Sequence, residues 1–230
     1  GAVLTGDACE NPQWRDARVM AVSQRAILVE DTTNPEGGFT PEEYAAIGDV
    51  FDDLIWDVNV RAFGEPTDLD DNERVIIFYT RAVNELTGRN SGSYVGGLFY
   101  NRDLFARSGA NSCAGSNEGE MFYMLAPDPQ GEVNGNVRAK NFVLDRTFSV
   151  LSHEFQHLIN DSRRLYVNRA PVWEDNWLNE GLSHIAEELA FYAASEFEPR
   201  QNLGTSPIVG AGASPFLRYN GDNVERYIRF

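Results

Sequence analysis

The chain has 230 residues and is 42% hydrophobic, which suits one globular unit of one or two lobes with an ordinary core and excludes wholesale disorder. Its formal charge of −16 argues against nucleic acid and anionic membranes as partners, and its longest apolar runs, such as Val75 to Tyr79, fall far short of the ~20 residues a membrane span needs. With neither a methionine nor a hydrophobic leader at Gly1, the sequence reads as a processed or excised region of a longer precursor.

Residues 1–16 are polar and turn-rich and read as an extended arm, followed by a strand around Ala26–Val29 paired with Arg18–Val22. After the Asn34-Pro-Glu-Gly-Gly turn a helix starts, with Thr40 as N-cap, Pro41 in the first turn and Glu43 completing a capping box. Tyr44, Ile47, Phe51, Leu54, Ile55 and Val58 give it one apolar face to pack on a sheet. Asp68, Asp70 and Asn72 alternate like the oxygen donors of a calcium loop, but without the glycine and distal glutamate of an EF-hand. A solvated acidic turn leading into a strand at Val75–Thr80 is the favoured reading, with structural Ca2+ as its alternative. A Gly-, Asn- and Ser-rich stretch over 82–119 surrounds one apolar segment, Tyr94–Tyr100, read as a strand. Glu120–Ala126 reads as another, and 127–137 as a turn-rich link.

From Asn141 to Asp161, Leu144, Phe148, Leu151, Phe155 and Leu158 recur at the helical period, leaving another face for His153, Glu154 and His157. These three belong to an HExxH pentapeptide, His153-Glu154-Phe155-Gln156-His157. On a helix its two imidazoles stand roughly 40° apart in azimuth and about 6 Å apart in rise, so both can reach one metal ion, with Glu154 between them as candidate general base. The chain has only three histidines, and the third, His184, lies close downstream. After a linking loop over 162–175, Trp177–Ala194 is again amphipathic, with Leu178, Leu182, Ile185, Leu189 and Tyr192 as its expected buried stripe. Such a helix can cross the first and present Glu180 as a third ligand, leaving a corner for water as in catalytic zinc sites. Glu187, seven residues on, is placed to accept the other ring N–H of a ligand histidine, and His184 shares that face. Residues 203–215 read as a loop or linker and 216–230 as a short terminal helix.

The run HEFQHLIN followed by NWLNEGLSHIAEEL resembles the gluzincin metallopeptidases, and the surrounding chain is most similar to the hyicolysin-type family within that group. Supporting stretches are the strand pair from Val19 to Asp31, the acidic turn before Val75-Ile-Ile-Phe-Tyr, Gly96-Gly-Leu-Phe-Tyr-Asn-Arg-Asp and Glu120-Met-Phe-Tyr-Met. The resemblance covers most of residues 19–195. It implies an α+β, thermolysin-like fold, with a sheet-rich N-terminal lobe (1–137) that includes a helix and a mainly helical lobe (138–230) carrying the active-site helix. It further implies Zn2+ on His153, His157 and Glu180, Glu154 as base, Glu187 behind a ligand histidine, and an extended peptide substrate on an edge strand. Met121, Phe122 and Tyr123 are the candidates for that edge, an interior strand being the alternative. The family's secreted habit favours a Cys9–Cys113 disulfide, and an extracellular location, over two free thiols. Neither cysteine stands in a CxxC pair of the kind that builds thiolate metal sites.

The chemistry this implies is peptide hydrolysis, in which Glu154 takes the proton of the attacking water and later passes it to the leaving amine. In related enzymes the oxyanion is met by a Tyr, His or Arg beyond the third ligand, which makes His184, Tyr192, Tyr219 and Tyr227 candidates, each with core packing as its plainer role. A zinc aminopeptidase is the nearest competitor, because WLNEG also resembles that branch. It lacks that branch's G-x-M-E-N grip on a free amine. A zinc-containing binding or adhesion module without activity is the competitor from another class.

Overall fold

A computed structural model describes residues 9–195. In order they form β1 (Ala17–Val22), β2 (Ala26–Asp31), α1 (Pro41–Val50), α2 (Asp57–Phe63), β3 (Val75–Thr80), α3 (Arg81–Glu85), β4 (Gly97–Phe99), β5 (Met121–Leu125), α4 (Lys140–Ser162) and α5 (Asn176–Ser195). The architecture is α+β, around one mixed five-stranded sheet ordered β1-β2-β3-β5-β4, in which β2, β3 and β5 run parallel and the two outer strands antiparallel to their neighbours. The expected segments at 203–215 and 216–230, and Tyr219 and Tyr227, lie outside the described residues.

Across the middle of the sheet Leu28, Ile77 and Phe122 lie in register on one face, all fully buried. The helices cover that face. Phe51 meets both Phe122 and Phe155 of α4, and Tyr44 of α1 packs edge-on against Tyr79 and Phe39. The opposite face, with Phe78 and Tyr123, lies under the 100–119 loop, where buried Asp103 accepts the Tyr123 hydroxyl at 2.6 Å and the Asn117 backbone N–H at 2.9 Å. Cys113 of this loop is disulfide-bonded to Cys9, which ties the N-terminal arm to it.

The helix begins at Pro41 as expected, with the Thr40/Glu43 capping box formed in both directions. Between α1 and α2 the rod passes through a π-helical segment, Phe51–Trp56. Each π turn takes an extra residue, so the inward face advances, and Trp56 and Asn59 are buried where Val58 was expected. Asn59 then donates to the carbonyl of Ser152 and accepts from its hydroxyl, locking the rod to α4.

Three further expectations are corrected. Met121, Phe122 and Tyr123 do not form an edge: β5 is interior, flanked by β3 and β4, and all five of its residues are buried. A wholly apolar run such as MFYML marks a strand covered on both faces, so the outer strand here is β4, a three-residue piece of the expected Tyr94–Tyr100. On α4 Leu144 is exposed and Val143 is buried in its place. On α5 the buried face is Ser183, Ala186, Glu187, Ala190 and Phe191, while Ile185 is exposed and Leu178, Leu182, Leu189 and Tyr192 are half-buried. Small side chains let α5 approach α4 closely, and a search for large apolar residues overlooks such a contact.

Candidate metal centre

α4 carries Ser149, His153, His157 and Asp161 at steps of four, so they form one row along the helix. α5 crosses that row with its first turns and brings up Asn179, Glu180, His184 and Glu187. The two Nε2 atoms of His153 and His157 face each other at 3.1 Å, and Glu180 Oε2 stands 3.5 Å from the first and 3.8 Å from the second. A point about 2.0 Å from all three atoms therefore exists, which is the length of a zinc–nitrogen or zinc–oxygen bond. The donor set fits a divalent metal in chemistry as well as in spacing.

The remaining ring nitrogens are fixed from behind. His153 Nδ1–H donates to Glu187 Oε1 at 2.7 Å, and Glu187 also accepts from Ser149 Oγ at 2.5 Å and His184 Nδ1 at 2.9 Å. His157 Nδ1–H donates to Asn179 Oδ1 at 3.2 Å, and that amide is oriented by Asn160 Nδ2 at 3.0 Å. Both imidazoles thus turn Nε2, the nitrogen with a lone pair in this tautomer, toward the common point.

Electrostatics follow from this crowding. Burial, reinforced by the charge of His153, lowers His157 to about 4. Burial opposes charge on His153 as well, yet its hydrogen bonds with Glu180 and Glu187 outweigh that and raise it to about 10. Glu180 is held low, chiefly by the same hydrogen bond to His153. The pair of imidazoles thus carries one proton more than the two neutral rings that a bound cation needs, so metal loading releases it.

Glu154 is buried, and burial raises its carboxyl to about 7 against a hydrogen bond from the Phe99 backbone N–H. One of its carboxylate oxygens lies within 4.8 Å of a ring nitrogen of each histidine. Gly97 makes this approach of β4 possible: a Cβ there would stand 2.6 Å from Val150 Cγ1 and 2.9 Å from Glu154 Oε1. Between β4 and the two helices lies a cleft of about 510 Å³, lined by residues 97–101, His153, Glu154, His157, Asp161, Asn179 and Glu180.

His153, Glu154, His157, Glu180, Glu187 and His184 are therefore brought together. Tyr192 is not: it lies twelve residues beyond Glu180, about 18 Å along α5, and does not line the cleft. In the acidic turn Asn72 is used internally, accepting from Arg74 N and donating to Asp70. Glu120 joins Asp68 and Asp70, with carboxylate oxygens within 4.8 Å of one another. Sequence reasoning missed Ser149, Asn179, Asp161 and the Gly97–Asn101 wall. The step of four from His153 and His157 points to Ser149 and Asp161; nothing local points to the wall, which sits there through sheet order.

No family model matches this chain. Among curated proteins it is similar to the neutral metalloprotease ShpI of Staphylococcus hyicus, with 30% identity over 190 residues, 82% of this chain and 40% of that protein. The chain thus spans about two fifths of that relative's length. The similarity supports a metalloprotease relationship.

Proposed function

We propose that this chain is the catalytic part of a zinc-dependent metallo-endopeptidase of the gluzincin type, with His153, His157 and Glu180 as metal ligands and Glu154 as general base. The observation that carries the reading is the convergence of two Nε2 atoms and one Oε2 atom at mutual distances of 3.1, 3.5 and 3.8 Å, with a buried carboxylate beside them. Zinc held there supplies a Lewis acid that polarises the scissile carbonyl and acidifies its bound water.

The protein's own groups do the rest. Glu187 and Asn179 hold the ligand rings in the metal-binding tautomer. Glu154 takes a proton from the attacking water and returns it to the departing amine. The edge-strand role expected for 121–123 passes to β4, whose outer side has no strand partner among the described residues and borders the cleft. An extended peptide can add its backbone there with little demand on its side chains. The reading keeps residues 1–137 and 138–230 as two lobes. It places the protein outside the cell, in keeping with the disulfide, and no helix among the described residues is long and apolar enough to cross a membrane.

Glu154→Gln tests the reading. The variant is expected to keep its zinc and lose turnover of an internally quenched peptide; turnover at the wild-type rate would remove Glu154 from the mechanism. An aminoacyl reporter run beside it separates endopeptidase from aminopeptidase action.

A further inference from the structure

The row along α4 does not stop at the proposed ligands. One turn beyond His157, about 6 Å along the axis, Asp161 lines the same cleft opposite Asn101, where β4 gives way to the next turn of chain. Its residue is only 6% exposed. Asn101 hydrogen-bonds its carboxylate, but no cation lining the cleft neutralises it: the lining contains neither Lys nor Arg. Arg164 lowers the cost of that charge from a distance, but its hydrogen bonds, like the contacts of Arg102, go elsewhere. Arg164 places Nη1 2.8 Å from Glu174 and Nη2 2.9 Å from the Val172 carbonyl, and Arg102, behind the wall, stacks on Tyr100 at 4.3 Å beside Asp103. Once a divalent cation balances Glu154 and Glu180, Asp161 is the remaining carboxylate of the cleft lining, with a cation, Arg164, acting on it only from outside that lining.

We propose that Asp161, with Asn101, forms a subsite for a cationic side chain, lysine or arginine, of the bound peptide. The proposal rests on the peptidase reading and names its substrate class. An extended chain advances about 3.3 Å per residue, so a group one helical turn from His157 meets a side chain one or two positions from the scissile bond. An ammonium or guanidinium there gains a charge-assisted hydrogen bond to a carboxylate already stripped of most of its water. The overall acidity of the protein attracts any cationic peptide, whereas this site discriminates by position.

The test uses zinc-loaded full chain and fluorescent peptides that differ at one residue, Lys, norleucine or Glu, placed in turn at each position within three of the bond. Both equilibrium binding, by anisotropy on Glu154→Gln protein, and kcat/KM on the wild type are read at fixed ionic strength. The expected result is a preference for Lys over norleucine of about tenfold or more, and a larger one over Glu, confined to one position. In Asp161→Asn, which keeps the bonding capacity toward Asn101, the Lys/norleucine ratio falls toward one. A Lys preference that is equal at all positions, or that survives Asp161→Asn, overturns the subsite, and so does no preference at all in the wild type. Position-specific binding without turnover upholds the subsite and defeats the peptidase reading instead.

Discussion

Glu187→Gln tests how far the metal centre depends on what stands behind it. Glu187 is 3% exposed and its two oxygens receive three donors, from His153, His184 and Ser149. A glutamine keeps the shape but has one acceptor oxygen and no charge. It can still hold one of the two imidazole N–H groups while its amide turns to the serine hydroxyl. The orientation of His153 therefore survives in part, but its basicity drops. Losses of this kind lower metal affinity by about ten- to a hundredfold, or about 1.4–2.7 kcal/mol. Glu187→Ala would instead strand one buried donor, Ser149, and two partly buried ones, at up to about 1–3 kcal/mol each, and is the poorer probe because it threatens the fold. Zinc affinity is measured by competition with a fluorescent chelator, alongside peptidase activity as a function of free zinc. The expected outcome is a weakened Kd and an activity curve displaced to higher zinc, with a plateau near that of the wild type. Wild-type affinity in Glu187→Gln would refute the reasoning, since the carboxylate would then be a packing element only.

Other expectations follow from the same geometry. Gly97→Ala puts a methyl group in the space held by Val150 and Glu154, at a cost of about 1–3 kcal/mol, and should reduce turnover by at least about tenfold with zinc retained. Unchanged turnover would mean that β4 does not need its close approach to Glu154. Burial raises Asp161 from 3.8 to about 6, so its ionisation disfavours the folded state. The stability associated with its protonated form is complete below about pH 3.8 and lost as pH rises through about 6. Metal-free Asp161→Asn should accordingly match the wild type in unfolding free energy near pH 4 and exceed it at pH 8, by about 2 kcal/mol after allowance for its opening onto the cleft, as read by denaturant titration. Equal stability at both pH values would show that the carboxylate is not strained.

The readable parts of this chain are those in which one short stretch determines the outcome. Thr40, Pro41 and Glu43 specify a helix start through bonds between residues three apart, and the helix starts there. The spacing of His153 and His157 puts two rings on one helix face whatever surrounds it. Sheet order is different in kind. Nothing within MFYML distinguishes the second strand from the edge except its unbroken apolarity, and β4 reaches the cleft only because the connection over 100–120 returns β5 beside β3. The buried face of α5 departs from the large-residue stripe for a related reason: Ser183, Ala186 and Ala190 are buried because α4 lies close, and small residues carry little periodic signal. The π-helical segment likewise rotates Trp56 and Asn59 inward, a shift that a strict 3.6-residue count does not contain.

The central claim is that His153, His157 and Glu180 together hold one zinc ion. Elemental analysis combined with zinc-edge X-ray absorption on the purified protein tests it directly. The account predicts one zinc per chain, bound by two imidazoles and light oxygen donors at about 2.0–2.2 Å, with one oxygen donor and most of the affinity lost in Glu180→Ala. A protein that binds no zinc, or whose zinc shell is unchanged in Glu180→Ala, would contradict it.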